Sequence, residues 1–497
     1  MKTHLINFAW FTCLMFMFTQ LQAQPLTWDH VYTFPQSSSV ARFTKIIQTE
    51  NDELFLSGYA EFGWFESSPG FMRVDSNGVK IWSKGYNFPY SYQFITHTLV
   101  QTSAGNYFSF CFNPLFPVPI QSDFKSTKDE LENDARLLKL NNDGDTLFSK
   151  HTQDIGWVND MMVDNGKLVA VGSTNYFDNQ NYGWQSKTTL LVMDTNGIVL
   201  LRKEYLTELD SRANSIIKND QGNYLITGTT TESYFDPGYI DPEKMYLLEL
   251  DNQGNVLWEY FSDIEYSEGK EVIVCDDGNY ALIGDGLSEE GSIDIILWKF
   301  DSNNNLTHTS YSELPKTDKA FGFIQTPDGG FIICGSIISQ NLPNGISTFL
   351  YLKTDDAGTE EWQMQNLSYY NCAYDVILNH NLGYYIAGDG HYNARLVKSD
   401  VNGEGLIVTS IESQETNETY FAEVYPNPGT SFITIKNSFP CCNCRFSLTN
   451  ILGNNVFDIE IESDLFWVNT AALPKGLFFY EIKNKNGLIQ SGKWIKE

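Results

Sequence analysis

The stretch Leu250–Tyr260, "LDNQGNVLWEY", spells out a hairpin. An apolar run ends at Asp251, Asn252 and Gln253 lead to Gly254, and a second run carries Trp258 away from the turn. Asp or Asn three residues before Gly is turn chemistry. The side-chain oxygen takes turn amides, and Gly supplies the positive φ that other residues avoid. The pattern returns in "DSNGVKIW" (75–82), "NNDGDTLF" (141–148) and "DTNGIVLL" (194–201). Four residues after the turn Gly stand Trp82, Phe148, Trp258 and Trp362. Leu201 and Ile407 take that slot elsewhere, and His308 follows the Gly-less turn "DSNNN".

Outward from this hairpin, four segments recur in fixed order, seven times. The first is an apolar strand: "FTKIIQT" (43–49), "THTLVQT" (96–102), "VNDMMVD" (158–164), "ANSIIKN" (213–219), "GKEVIVC" (269–275), "AFGFIQT" (320–326) and "AYDVILN" (373–379). The second usually ends in Gly, as in "DELFLSG", "GKLVAVG" and "GNYLITG"; its counterpart "GNYFSFC" ends in Cys111. The third and fourth flank the hairpin turn. Four short strands per unit, repeated, predict an all-β fold: a seven-bladed β-propeller over residues 24–410. At ~55 residues the units exceed common blades of roughly 40–50. The excess lies between second and third strands, at 59–70, 112–136, 173–188 and 229–244, and is expected as loops on one rim. An aromatic at a fixed outer position packs between blades. An extra segment, "LTWDHVYTF" (26–34), puts Trp28 in the same slot. It is expected to complete the last unit, whose own fourth segment, "EGLIVTS" (404–410), is weak.

The N-terminus reads as a signal peptide over residues 1–23. Lys2 and His4 precede the apolar run Leu5–Phe18, and Ala23 is a small residue suited to cleavage. The run is shorter than the roughly 20 residues of a membrane span, and no other segment is long and apolar enough to cross. Acidic residues outnumber basic ones 62 to 32, a net charge of −30. Such a surface repels nucleic acid and anionic membranes, and neither is expected as a partner. Cys111, Cys275, Cys334 and Cys372 sit in apolar strands and read as small buried hydrophobes.

The Asp-x-x-Gly-x-x-x-Trp spacing resembles the repeat of quinoprotein-type propellers, in which the Trp docks blades. The quinone site of that family would need a calcium-binding acidic set and adjacent half-cystines. The adjacent pair here, Cys441–Cys442, lies outside the repeats. The sialidase Asp box, Ser-x-Asp-x-Gly-x-x-Trp, is missed by one residue on each side of the Gly, and no arginine triad accompanies it. His380 and His391 match no metal spacing. "DIGWVND" and "GDGLSEEGSID" lack the alternation of a calcium loop. No catalytic, cofactor-binding or metal-ligating residue is assigned, no cofactor is expected, and calcium has no specific motif behind it.

The pattern changes after residue 410. A polar linker, 411–422, leads to alternating strands and turns over 423–497 that predict a small Ig-like β-sandwich. Tyr425-Pro426-Asn427-Pro428, "LTNILG", "LPKGLFFYEI" with Gly476 and Tyr480, and the terminal "GKWIKE" with Lys493 follow in order. Together they resemble the type A C-terminal sorting domain of the type IX secretion system of Bacteroidota. That resemblance implies Sec export, recognition of the tail by the type IX machinery, and a secreted or surface-attached product. "FPCCNCRF" (439–446) departs from the family pattern, and its three closely spaced thiols are too few for a four-ligand zinc site. The functional expectation is a non-catalytic module binding an extracellular ligand, glycan or protein. The alternative is a hydrolase or lyase acting on polysaccharide or peptide at the propeller channel. Carboxylates, His or Arg converging on that channel are the feature that separates the two.

Overall fold

The computed structural model describes residues 27–34, 40–63, 66–86, 94–112, 135–178, 183–231, 242–288, 291–312, 317–339, 346–366, 371–379, 383–390 and 393–403, then 422–425, 428–437, 444–450, 454–461, 465–484 and 487–496. The signal-peptide segment, the "EGLIVTS" segment, His380, His391, Cys441 and Cys442 lie outside them. The chain divides into two compact units, Met1–Val408 and Thr409–Glu497.

Among the described residues, the first unit is built of seven antiparallel sheets. Sheets 1 to 6 follow one another along the chain, their strands lying within 40–85, 95–152, 157–205, 210–261, 268–311 and 317–366, four to a sheet except five in sheet 2. The first runs Val40–Gln48, Leu54–Gly63, Glu66–Val74, Lys80–Gly85, and the fourth Asp210–Lys218, Tyr224–Thr231, Lys244–Leu250, Val256–Phe261. Sheet 7 takes Ala373–Leu378, Tyr384–Gly390 and Asn393–Ser399 from one end of the unit and Trp28–Tyr32 from the other, with Trp28 opposite Lys398. Pairing the two ends makes loss of the first strand a loss for the last sheet.

Each sheet buries both faces. Successive side chains of a strand point to opposite faces, so neighbours in sequence serve different interfaces. Leu54 and Leu56 join the core shared by sheets 7 and 1, whereas Phe55 joins the one shared by sheets 1 and 2. The same split places Ile226 between sheets 3 and 4 and Leu225 between sheets 4 and 5. This is why the second and third segments read as unbroken apolar runs. Each sheet packs on the next, and the seventh packs on the first.

The Gly that ends the second segment has a steric cause. In six sheets the first strand carries a β-bulge, with shifts at Phe43/Lys45, Val158/Asp160, Ala213/Ser215, Gly269/Glu271, Ala320/Gly322 and Ala373/Asp375. Beside each bulge a backbone carbonyl leans onto the Gly of the second strand. A Cβ on Gly58 would lie 1.8 Å from Arg42 O, on Gly172 1.8 Å from Trp157 O, and on Gly284 2.0 Å from Glu268 O. Sheet 2 has Cys111 in this place, opposite Thr96. Its first strand is broken into Ile95–Thr96 and Val100–Gln101 rather than bulged. The Thr98 hydroxyl there accepts the Phe110 N–H at 2.7 Å, serving a backbone donor that the break would leave unpaired.

Two of the insertions expected on one rim carry paired strands: the described residues of 59–70 and 173–188 extend the central hairpins of sheets 1 and 3, with pairing out to Gly63–Glu66 and Asp178–Gly183. The excess length prolongs the ladder, which satisfies backbone groups a loop would leave to water. Most of 112–136 and of 229–244 lies outside the described residues.

In the second unit, one sheet orders Ala422–Tyr425, Phe432–Asn437 and Leu465–Asn469. The other orders Asn455–Ile461, Cys444–Asn450, Gly476–Asn484 and Gly487–Lys496. Ile433, Ile435 and Val468 of the first meet Phe446, Phe478 and Trp494 of the second in one core.

Gly172→Ala should lower stability by ~3 kcal/mol, because its methyl meets a backbone carbonyl and not a side chain that can turn away. Urea denaturation of the purified chain measures this, and a loss under ~0.5 kcal/mol would contradict the steric account.

Candidate functional site

In five of the six bulged sheets two consecutive side chains of the first strand line one cavity of about 250 Å³, and in sheet 6, where Gly322 follows, one does. Thr44, Asn159, Asn214, Lys270, Phe321 and Tyr374 are the bulged residues, and Lys45, Asp160, Ser215, Glu271 and Asp375 follow them. His97 enters from the broken strand of sheet 2, and Glu268 completes the lining. Every sheet of the first unit contributes to this cavity. The cavity is polar, with Phe321 and Tyr374 forming one aromatic pair at 5.0 Å.

Charge is concentrated around Lys45. Its ammonium lies 3.2 Å from Asp375 Oδ1 and 3.8 Å from Glu271 Oε1. Burial works against the ammonium's charge, but Asp375, Glu271 and Asp160 together raise its pKa above the ordinary lysine value. Burial pushes the Glu271 carboxyl up to about 7, with Lys45 opposing and Asp375 adding to the rise. Burial likewise raises Asp375 and Asp160. His97 is pushed down to about 4 by burial and then by the charge of Arg42, so its imidazole is neutral at pH 7. Arg42 is held by Asp389 at 3.3 Å and Glu61 at 3.6 Å and donates to Tyr374 Oη at 3.3 Å.

The three axial carboxylates share a structural task. Asp375 Oδ2 accepts the Ile46 N–H at 2.8 Å, Asp160 Oδ2 the Ile216 N–H at 2.9 Å, and Glu271 Oε2 the Phe323 N–H at 2.8 Å. Each bond runs from one sheet to the first strand of the next, and each serves an N–H two residues past the bulge, on the open edge of that strand. What the arrangement offers a ligand is therefore a set of half-satisfied carboxylates around two ammonium groups, Lys45 and Lys270, with amides and two aromatic rings beside them. Among the described residues no group of three or more His, Cys, Asp or Glu is placed to hold a metal ion.

The residues of the aromatic slot lie at the other end of the sheets. Trp82 covers the turn glycine of sheet 2, with a Cβ on Gly144 lying 2.5 Å from its ring, and its Nε1 donates to Asn142 O at 3.1 Å. Trp28 covers Gly78 and donates to Ser76 O at 3.4 Å. Trp362 covers Gly403, and Trp258 meets Phe300 of sheet 5 edge-on at 6.0 Å. Phe148 packs into the core between sheets 2 and 3, while Lys150 and Leu137 meet the next turn glycine, Gly197. The turns close as their sequence implies: Asp251 Oδ1 accepts the N–H of Gln253 and of Asn255, and Gly254 has a φ of 74°.

Two kinds of residue escaped the sequence reading. Tyr32, Tyr86 and Tyr205, four residues after the slot, donate their hydroxyls to the carbonyls of Gly78, Gly144 and Gly254 in the next sheet. The axial residues were also unassigned, although their signal is plain. In five of the seven first-strand segments they are the second and third letters, where polar residues such as Asn159-Asp160 and Asn214-Ser215 precede an apolar run.

In the second unit Tyr480 is buried, stacked on Phe446 at 6.1 Å and lying against Gly492, where a Cβ would sit 2.5 Å from its ring. Gly476 opens its strand at a φ of 152°, and Lys493 is exposed opposite Phe479. Tyr425 ends the first strand, opposite Thr434, and Pro428 is exposed; Pro426 and Asn427 lie outside the described residues.

Residues 423–497 match the family described as the secretion system C-terminal sorting domain. Such a tail implies recognition by the type IX machinery and export to the cell surface or the medium. No curated protein matches the chain. Among solved structures, a protein of unknown function from Dyadobacter fermentans is 12% identical, with a TM-score of 0.43 over 65% of this chain and 96% of that one. PorZ, a surface component of the type IX secretion system of Porphyromonas gingivalis, is 10% identical, with a TM-score of 0.33 over 92% and 70%. An ulvan lyase is 9% identical, with a TM-score of 0.48 over 75% and 95%. Likenesses this distant say nothing of this chain's activity. Among the described residues no helix is long and apolar enough to cross a membrane.

One acid stands where sister sheets use serine. Ser211 Oγ accepts the Thr188 N–H and Ser267 Oγ the Met245 N–H, each at 3.0 Å. In sheet 6 the same place holds Asp318, whose Oδ2 accepts the Ile295 N–H at 3.1 Å and the Ser312 hydroxyl at 2.6 Å. Its Oδ1 is buried without a partner, as is Oδ1 of Asp294. Burial raises Asp318 from 3.8 to about 7, and Asp294 and Asp285 add to the rise. A raised folded-state value means the protonated form is the stabilising one. Its contribution is complete below pH 3.8 and is lost as pH rises through about 7. Asp318→Asn should therefore be more stable than the native chain at pH 8 by ~2–4 kcal/mol, with the difference shrinking toward pH 4. Urea melts at both pH values check this; a variant less stable at pH 8 would refute it.

Proposed function

We propose that the first unit is a seven-bladed β-propeller, over residues 24–410, closed by Trp28–Tyr32. The tail, 423–497, is proposed as an Ig-like sandwich carrying the type IX sorting signal. On this reading the mature protein is secreted or attached to the cell surface and binds a polar extracellular ligand, a glycan or a peptide, at the axial cavity without turning it over. One observation carries the non-catalytic reading: Asp160, Glu271 and Asp375 each already hold a backbone N–H of the next sheet. A general acid or base must be free to exchange its proton with substrate, and a carboxylate that joins two sheets is poorly placed for that.

The second reading, a hydrolase or lyase, draws on Glu271. A carboxyl titrating at about 7 beside an ammonium is the sort of group that acid–base chemistry recruits. Purified protein incubated with neutral and sulfated polysaccharides and with peptides separates the two. Saturable binding without new reducing ends, unsaturated sugars or free amines supports the binding reading. Turnover that Glu271→Gln abolishes in a folded variant replaces it with the enzymatic one.

Export rests on the tail alone. Deleting 423–497 should leave the propeller in the periplasm, as seen by fractionation and immunoblotting, and normal appearance in the medium would refute the sorting role.

A further inference from the structure

A second cavity, of about 220 Å³, opens between sheets 5 and 6, away from the axial residues. Its cause is the slot described above. The fourth strand of sheet 5 carries His308 where other sheets carry Trp, and Ser312 where sheets 1, 3 and 7 are followed by Tyr86, Tyr205 and Tyr32. His308 turns its ring aside to Ala357 O at 2.8 Å, and the Ser312 hydroxyl turns to Asp318. The ring and the hydroxyl that close the interfaces following sheets 7 and 1, Trp28 with Tyr32 and Trp82 with Tyr86, are both missing here. Ile295, Leu297, Ile333 and Leu352, all buried, form the apolar floor.

A second observation points to an occupant. Thr354 lines this cavity at 2% exposure, and its Oγ1 has no hydrogen-bond partner among the described residues. A buried hydroxyl without a partner costs stability that a polar ligand atom would recover. Size narrows the choice. The volume lies below the roughly 300–1,000 Å³ of sites for drug-sized ligands, and suits one ring better than a sugar chain. The sister interfaces show what fits: a flat ring over the turn glycine, with a polar hydrogen delivered to a neighbouring oxygen.

We propose that the cleft between sheets 5 and 6 is a binding site for a phenol ring, held by the apolar floor and hydrogen-bonded at Thr354. The ring takes the place of the aromatic pair that this interface lacks. The phenol can come as a free small molecule or as a tyrosine side chain of a partner. The site is separate from the axial cavity and stands whether or not that cavity is catalytic.

The test uses the full mature chain and calorimetric titration with p-cresol, toluene and the tripeptide Gly-Tyr-Gly. p-Cresol should bind saturably at millimolar concentration. Thr354→Val should weaken p-cresol ~10-fold and leave toluene unchanged, since it removes one hydrogen bond and no volume. His308→Trp should fill the cleft, abolish p-cresol binding and raise the melting temperature, whereas Leu201→Trp, in the interface of sheets 3 and 4, should leave binding intact. Tripeptide binding at least as tight as p-cresol assigns the site to a partner's tyrosine, and p-cresol binding without it assigns the site to a free phenol. No saturable p-cresol binding by the native chain overturns the proposal. So does unchanged p-cresol affinity in Thr354→Val, which tests the site even if His308→Trp fails to fold.

Discussion

The close approach of a backbone carbonyl to a glycine, repeated in six sheets, sets the geometry of the first unit. Where the second strand has no Cβ, the first strand can bulge toward it, as at Gly58, Gly172 and Gly284. The bulge adds one residue to the inner strand, and that residue and the next turn toward the axis. The same glycine therefore decides both the shape of the inner edge and the chemistry displayed there. Sheet 2 supplies the internal comparison. Cys111 occupies the glycine's place, the inner strand breaks, and the axis receives His97 in place of a bulged pair.

The open inner edge also explains the axial carboxylates. Each inner strand ends its sheet, so an N–H two residues past the bulge faces away from the ladder and must find another acceptor or stay buried unpaired. Asp375, Asp160 and Glu271 supply acceptors from the preceding sheet, and Ser215 approaches the Val272 N–H at 3.5 Å in the same way. Lys45 then lies within ion-pair distance of two of the three carboxylates. A cluster that would suggest catalysis in a sequence motif is thus accounted for by the backbone it serves.

Part of this was legible. The Asp–Gly turns and the pairing of the N-terminal strand with the last sheet follow from local chemistry that a sequence displays. Two features were not. The segments 59–70 and 173–188 look like loops because glycine, serine and asparagine dilute their apolar pattern, yet both continue as paired strands. The axial residues were hidden because a bulge breaks the period of two: Asp160 and Asn159 are adjacent in sequence but share the cavity. Strict alternation would send one of them into a core. Aligning the inner strands and asking where adjacent polar residues interrupt them recovers most of the axial set, Phe321 and Glu268 excepted.

The outer edge follows a different logic, and its exceptions carry information. A tryptophan over a turn glycine and a tyrosine to its carbonyl close an interface with rings and two directed hydrogen bonds, as between sheets 1 and 2. Where the slot holds Leu201, a cavity of about 430 Å³ opens beside it, lined by Asp164, Lys218 and Asn252. Where it holds His308, the cavity is smaller and floored by aliphatic side chains. Loss of the same residue type thus leaves two spaces of opposite character, one charged and one apolar. Each sheet shares a buried core with the next, so one interface can do without a tryptophan over its turn glycine. Binding can then arise at the outer edge without disturbing the axis, because the two ends of each sheet answer to different constraints.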